Sequence, residues 1–138
     1  MQSVFFYGLF MDAQLLRGMG LEPLVDGVAE LPDHALRIGE KATLVAEPGS
    51  SAWGVVIGMT RPDLERLYSG PGVDRYRPES VSAVMAADRS ARDCTCYNLP
   101  ADELGESVDS SYAEQFAALA ERLSFPLEYV REIRRFCD

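Results

Sequence analysis

The chain has 138 residues, 47% of them hydrophobic, with no low-complexity tract and no internal repeat. That suits a single domain over residues 1–138, whose core needs no metal or disulfide staple. Lys plus Arg number 13 against 22 Asp plus Glu, for a net charge of −9, a balance that repels a phosphate backbone and excludes nucleic acid as the expected partner.

Met1-Gln2-Ser3 offers neither a basic n-region nor a cleavage site, so Val4 to Tyr7 is expected to be a core strand and not a signal peptide. Its β-branched and aromatic run stops at Gly8, the pattern of a strand buried on both faces. A helix over residues 12 to 19 follows, with Asp12 as N-cap, Leu15, Leu16 and Met19 as its stripe, and Gly18 and Gly20 as stop signals. Strands are expected at Leu24 to Leu31, His34 to Ile38, Ala42 to Val45 and Trp53 to Met59, separated by Leu31-Pro32-Asp33, Gly39 and Glu47-Pro48-Gly49. Thr60-x-x-Asp63 is a capping box for a short helix with Leu64 and Leu67 as its buried face, ended by Ser69-Gly70-Pro71-Gly72. Val81 to Met85 and Cys94 to Leu99 bracket a turn at Asp88 to Arg92. Beyond a polar stretch at 100–109, Ser111-x-x-Glu114 opens a helix with the stripe Tyr112, Phe116, Leu119 and Leu123. Pro126 starts a last helix carrying Leu127, Val130, Ile133 and Phe136. About six strands and four helices, with hairpin-length gaps in the middle, point to a curled mixed or antiparallel sheet.

No apolar run approaches the roughly 20 residues of a membrane-spanning helix, so no membrane partner is expected. Cys94 and Cys96 stand two apart on one strand, poorly placed to bridge each other, and Cys137 leaves the count odd. Buried thiols in a reducing cytoplasm fit that usage. The lone His34 lies far from the cysteines and no pair has zinc-finger spacing, so no metal site is expected. Arg61, Arg66, Arg75, Arg77 and Arg89 are expected as a solvated surface in preference to an anion site.

Tyr7-Gly8-Leu9-Phe10-Met11, Gly27, Ala42-Thr43-Leu44-Val45 before Pro48-Gly49, Trp53-Gly54-Val55-Val56, Asp63-Leu64-x-x-Leu67, Gly72, Tyr76-Arg77, Val81, Tyr112 and Phe125-Pro126-Leu127-Glu128-Tyr129-Val130 form an ordered series along the chain. This series resembles the gamma-glutamylcyclotransferase-like and AIG2-like proteins, whose opening turn reads Tyr-Gly-Ser-Leu-Met. The resemblance implies an α+β fold, a small mixed β-barrel flanked by helices. It also implies a small-molecule pocket at the turn, with Tyr7, Gly8, Leu9, Phe10, Tyr76 and Tyr112 binding the ligand or substrate, and no cofactor. Leu9 stands where the family has Ser, which keeps main-chain donors and removes a hydroxyl. A tight strand-to-helix turn would need the same Gly8, and buried tyrosines with satisfied hydroxyls are as natural in a core as in a site.

The family reaction releases 5-oxoproline when a substrate's α-amine attacks its own γ-glutamyl carbonyl. An ammonium with a pKa near about 8 needs a base for that step. The resemblance would place the base, a Glu, in a Leu-Asp-x-x-Glu-Gly motif. Here that segment reads Leu67-Tyr68-Ser69-Gly70-Pro71-Gly72, so Pro71 or Gly70 takes the position of the Glu. Asp74 is the nearest carboxylate to stand in, with Glu40 and Glu79 as alternatives. Two functions remain open at this stage: acyl transfer of the cyclotransferase type with a relocated base, or non-catalytic ligand binding on the same fold. Oligomeric state is left open.

Overall fold

The computed structural model describes residues 1–100, 103–104 and 107–136; Cys137 and part of the polar stretch at 100–109 lie outside them. Five strands close into a mixed barrel in the order β1-β3-β2-β4-β5. They are β1 (Gln2–Phe6), β2 (Leu24–Ile38), β3 (Ala42–Met59), β4 (Arg77–Met85) and β5 (Ala91–Asn98). The hairpins β2–β3 and β4–β5 and the pair β1–β3 are antiparallel, and a parallel contact at Val4↔Thr95 closes the ring. The helices are α1 (Ala13–Gly18), α2 (Arg61–Leu67), α3 (Ser110–Arg122) and α4 (Leu127–Arg135), with α3 and α4 packed on each other.

Of the three breaks expected within 24–59, the one at Gly39 separates β2 from β3 and the other two do not divide the strands. Pro32-Asp33 and Pro48-Gly49 face each other across the β2–β3 ladder, with Pro32 opposite Ser51 and the register shifting before His34. Asp33 (φ 60°) and Gly49 (φ 85°) take the left-handed conformation there, and the Gly49 N–H donates to the Asp33 carboxylate at 3.0 Å. Breakers placed opposite one another thus make a bulge, and pairing resumes beyond it.

Helix entry follows local chemistry at three of the four helices. Asp12 caps α1 by accepting from the Gln14 N–H at 3.0 Å. Thr60 caps α2 by accepting from the Asp63 N–H at 3.3 Å. The Asp63 carboxylate does not complete that box; it accepts from the Glu22 N–H at 3.0 Å and ties the α1–β2 connection to α2. At α3 the cap is Asp109, two residues before the expected Ser111, accepting from the Tyr112 N–H at 3.1 Å. The Ser111 hydroxyl accepts from the Gln115 side chain instead. Asp109→Ala is therefore expected to cost about 1 kcal/mol in urea unfolding and Ser111→Ala only a few tenths; the reverse ranking would remove Asp109 as the cap.

The core runs through the barrel and under α3 and α4, where Val4, Phe5, Ile57, Phe116 and Ile133 are buried. On α1 only Leu16 of the expected stripe is buried, while Leu15 and Met19 are exposed. On α4, Leu127 is 68% exposed and Tyr129 takes the inward place with Val130 and Ile133. Leu127 is the first residue after the Pro126 cap, and the chain reaches the barrel one residue pair later, where Tyr129 meets Phe125 edge-on at 6.0 Å.

Candidate functional site

β1 ends at Phe6, and Tyr7-Gly8 leads into a 3-10 turn over Leu9–Met11. The Met11 N–H donates to the Gly8 carbonyl at 3.0 Å, and Asp12 to Leu9 at 3.1 Å. The backbone at Gly8 is extended (φ −106°), so torsion does not demand a glycine. Close approach favours one, because a Cβ at Gly8 would stand 3.2 Å from the Tyr112 hydroxyl, which would have to give by a few tenths of an ångström. The turn forms one wall of a cavity of about 210 Å³. Its other walls come from Lys41 in the β2–β3 link, Ala42 at the start of β3, Tyr68 at the end of α2, Gly72 and Val73 beyond it, Tyr76, Tyr97 of β5 and Tyr112 of α3.

Aromatic rings hold these walls together. Tyr68 and Tyr97 stack at 4.1 Å with 13° between their planes. Tyr68 also meets Phe10 edge-on at 6.0 Å and Tyr76 at 6.0 Å. Tyr7 donates to the Tyr97 carbonyl at 2.8 Å, and Tyr76 donates to the Ala42 carbonyl at 2.5 Å. Tyr112 presents its hydroxyl to the main chain at Leu9. Burial pushes the phenols of Tyr7, Tyr68 and Tyr112 well above the usual tyrosine range, and that of Tyr76 up to about 12. All four are therefore neutral near pH 7. Among the described lining residues, Lys41 is the only charged side chain and none is Asp or Glu.

No protein-family model matches the chain, and no curated protein does. Solved structures do match. A protein titled gamma-glutamyl cyclotransferase superposes with a TM-score of 0.78 at 22% identity, over 96% of this chain and 86% of that one. An uncharacterized protein from Homo sapiens gives 0.77 at 24% identity with the same shares. An AIG2-like protein from Mus musculus gives 0.58 at 15% identity, over 80% of this chain and 89% of that one. The chain has the gamma-glutamylcyclotransferase-like, AIG2-like fold. At these identities the likeness is one of fold.

On this gamma-glutamylcyclotransferase-like barrel, the six residues expected at the site, Tyr7, Gly8, Leu9, Phe10, Tyr76 and Tyr112, line one cavity. Tyr7 and Tyr76 spend their hydroxyl protons on main-chain carbonyls, so they shape the walls more than they offer donors. Gly72 also lines the cavity, and Pro71 beside it is exposed and outside the lining. Asp74, Glu40 and Glu79 are exposed and outside the lining as well. The Asp74 carbonyl accepts from Arg77, the Glu40 N–H donates to the Leu104 carbonyl, and the Glu79 carboxylate accepts from the Asn98 amide at 3.1 Å. The central arginines do not converge: Arg61 pairs with Glu65, Arg75 with Glu103 and Arg89 with Glu30. Cys94 and Cys96 are buried and free, with the Cys96 thiol pushed up by burial. His34 bonds locally to the Pro32 carbonyl, and no cluster of metal-ligating side chains occurs among the described residues.

Sequence reasoning missed Lys41, Tyr68 and Tyr97 as lining residues. Tyr97 follows Cys96 on a strand, so alternation could have sent it away from the buried thiols, toward whatever covers that face. Lys41 sits in the short link between β2 and β3, where nothing in the local sequence marks it.

Proposed function

We propose that this chain is a small-molecule-binding protein of gamma-glutamylcyclotransferase-like fold, which seats its ligand between the Tyr7–Phe10 turn and the Tyr68–Tyr97 stack and does not turn over γ-glutamyl compounds. The lining of the cavity carries this proposal. It is a concave aromatic enclosure with one cation and, among the described residues, no carboxylate, the usual make-up of a small-ligand site. The segment that the resemblance would give the base, Leu67-Tyr68-Ser69-Gly70-Pro71-Gly72, holds no proton acceptor of carboxylate type. A general base contributes about 10²–10⁴-fold, so a pocket without one binds but leaves the α-ammonium unreactive.

Purified protein incubated with γ-glutamyl amines and γ-glutamyl amino acids is expected to release no 5-oxoproline above the buffer blank. Release that depends on the protein and scales with its concentration would overturn the claim and establish the cyclotransferase-type alternative. A panel of small amino acids, amides and aromatic compounds should contain saturable binders, and Tyr68→Ala, which removes one wall, should weaken them. A panel without binders would remove the ligand-binding proposal itself.

A further inference from the structure

We infer that the cavity selects a small monocarboxylate with an aromatic or apolar body, and that Lys41 is the residue that recognises its carboxylate. The inference rests on the ligand-binding proposal above and narrows it to a chemical class.

Lys41 is the only lysine in the chain, the other 12 of the 13 basic residues being arginines. The arginines occupy the outer surface, several in ion pairs with Glu or Asp such as Arg37–Glu47, Arg89–Glu30 and Arg92–Asp26. Lys41 forms no ion pair with a described residue, and its half-buried side chain lines the aromatic cavity. Its stem lies beside the turn at Gly72, which has φ +86°; a Cβ there would make an ordinary contact with the Lys41 Cε at 3.9 Å. Most other cationic side chains are paired before any ligand arrives, whereas Lys41 lines the cavity with no ion pair among the described residues.

The surroundings define the rest of the ligand. Phe6, Phe10, Tyr68, Tyr97 and Val73 offer faces and edges to an apolar body, and the phenols stay neutral, so none repels an anion. The volume of about 210 Å³ corresponds to roughly seven waters of liquid, room for one substituted ring. A zwitterionic amino acid would bring an ammonium that meets Lys41 as a like charge and finds no carboxylate among the described lining residues. A simple monocarboxylate has one charge, and the described lining residues supply one opposite charge to meet it.

The test compares phenylacetate, phenylacetamide and phenylalanine against wild type, Lys41→Met, Lys41→Arg and Tyr68→Ala by isothermal titration. A charged hydrogen bond predicts that wild type binds phenylacetate roughly ten- to a hundredfold more tightly than phenylacetamide. Lys41→Met should equalise the two, and Lys41→Arg should keep the preference. Reductive methylation with an isotopic label keeps the charge of the single lysine, and its resonance should shift saturably with phenylacetate. Equal binding of acid and amide to wild type, both weakened by Tyr68→Ala, would overturn the inference while leaving the pocket in place. A preference that survives Lys41→Met, or tighter binding of phenylalanine, would overturn it too. If none of the three aromatic probes binds, the inference falls, and a different panel member lost on Tyr68→Ala would still uphold the site.

Discussion

Raising the pH from about 9 to about 12 is expected to unfold the protein cooperatively above about pH 10, with tyrosine ionisation and loss of structure occurring together. All six tyrosines have phenols raised above the ordinary value, in each case first by burial. A phenol with a raised pKa holds its proton more tightly when folded than when unfolded. Its contribution to stability is complete below about pH 10, the unfolded value, and is lost as pH climbs through 10 toward the folded value. For Tyr76, raised to about 12, the loss ends near there. Tyr7, Tyr68, Tyr112 and Tyr129 continue to higher pH. All these groups act in the same direction, and their combined loss weighs against the roughly 5–15 kcal/mol that holds a domain folded. Circular dichroism and the ultraviolet signal of tyrosinate, followed in one titration, check this. Tyr68→Phe, which removes one ionisable group and keeps the ring, should move the midpoint upward. Tyrosinate appearing with an ordinary midpoint while the far-ultraviolet signal stays native would defeat the prediction.

Gly54→Ala is expected to destabilise the fold by about 3 kcal/mol or more. A Cβ there would lie 2.2 Å from the Phe6 carbonyl oxygen and 2.8 Å from Phe5 Cζ. Neither neighbour can yield cheaply. Phe6 is laddered to Val55 and Ala29 to Gly54 itself, so β3 is held on both sides, and the Phe5 ring is fully buried in the barrel. Gly18→Ala is the matched control, since a Cβ at Gly18 meets nothing within 4 Å; it should change stability by less than about 1 kcal/mol. Urea unfolding midpoints with unchanged slope would measure both. Equal behaviour of the two variants would mean that β1 and β3 can separate at this point, against the register described here.

Elements whose cause is local were legible in the sequence. Trp53 to Met59 is a strand because three β-branched residues sit between glycines, and one of those glycines marks a close backbone approach. Asp12 and Thr60 cap their helices because a short acceptor side chain reaches an amide two or three residues on. Tyr7, Gly8, Leu9 and Phe10 line one cavity because they follow one another through the turn that closes β1. The α3 cap was misplaced by two residues because Asp109 and Ser111 carry equally suitable acceptors, and only the path of the incoming chain decides between them.

Other features depend on what stands opposite, which no local pattern records. Pro32-Asp33 and Pro48-Gly49 are each a break by composition, yet they meet across one ladder and become a bulge in two long strands. Leu127 and Tyr129 are both apolar candidates for the buried face of α4, and the position of Phe125 selects Tyr129. By itself, then, the sequence determined the barrel-and-helix class, most helix starts and the tight turn after β1, because these follow from side chains acting within a few residues. Only the tertiary structure decided what the site is made of. Tyr68 is separated from Tyr97 by 29 positions and Lys41 from Gly72 by 31, and their meeting in one aromatic enclosure is a consequence of how the closed barrel brings the ends of distant strands together.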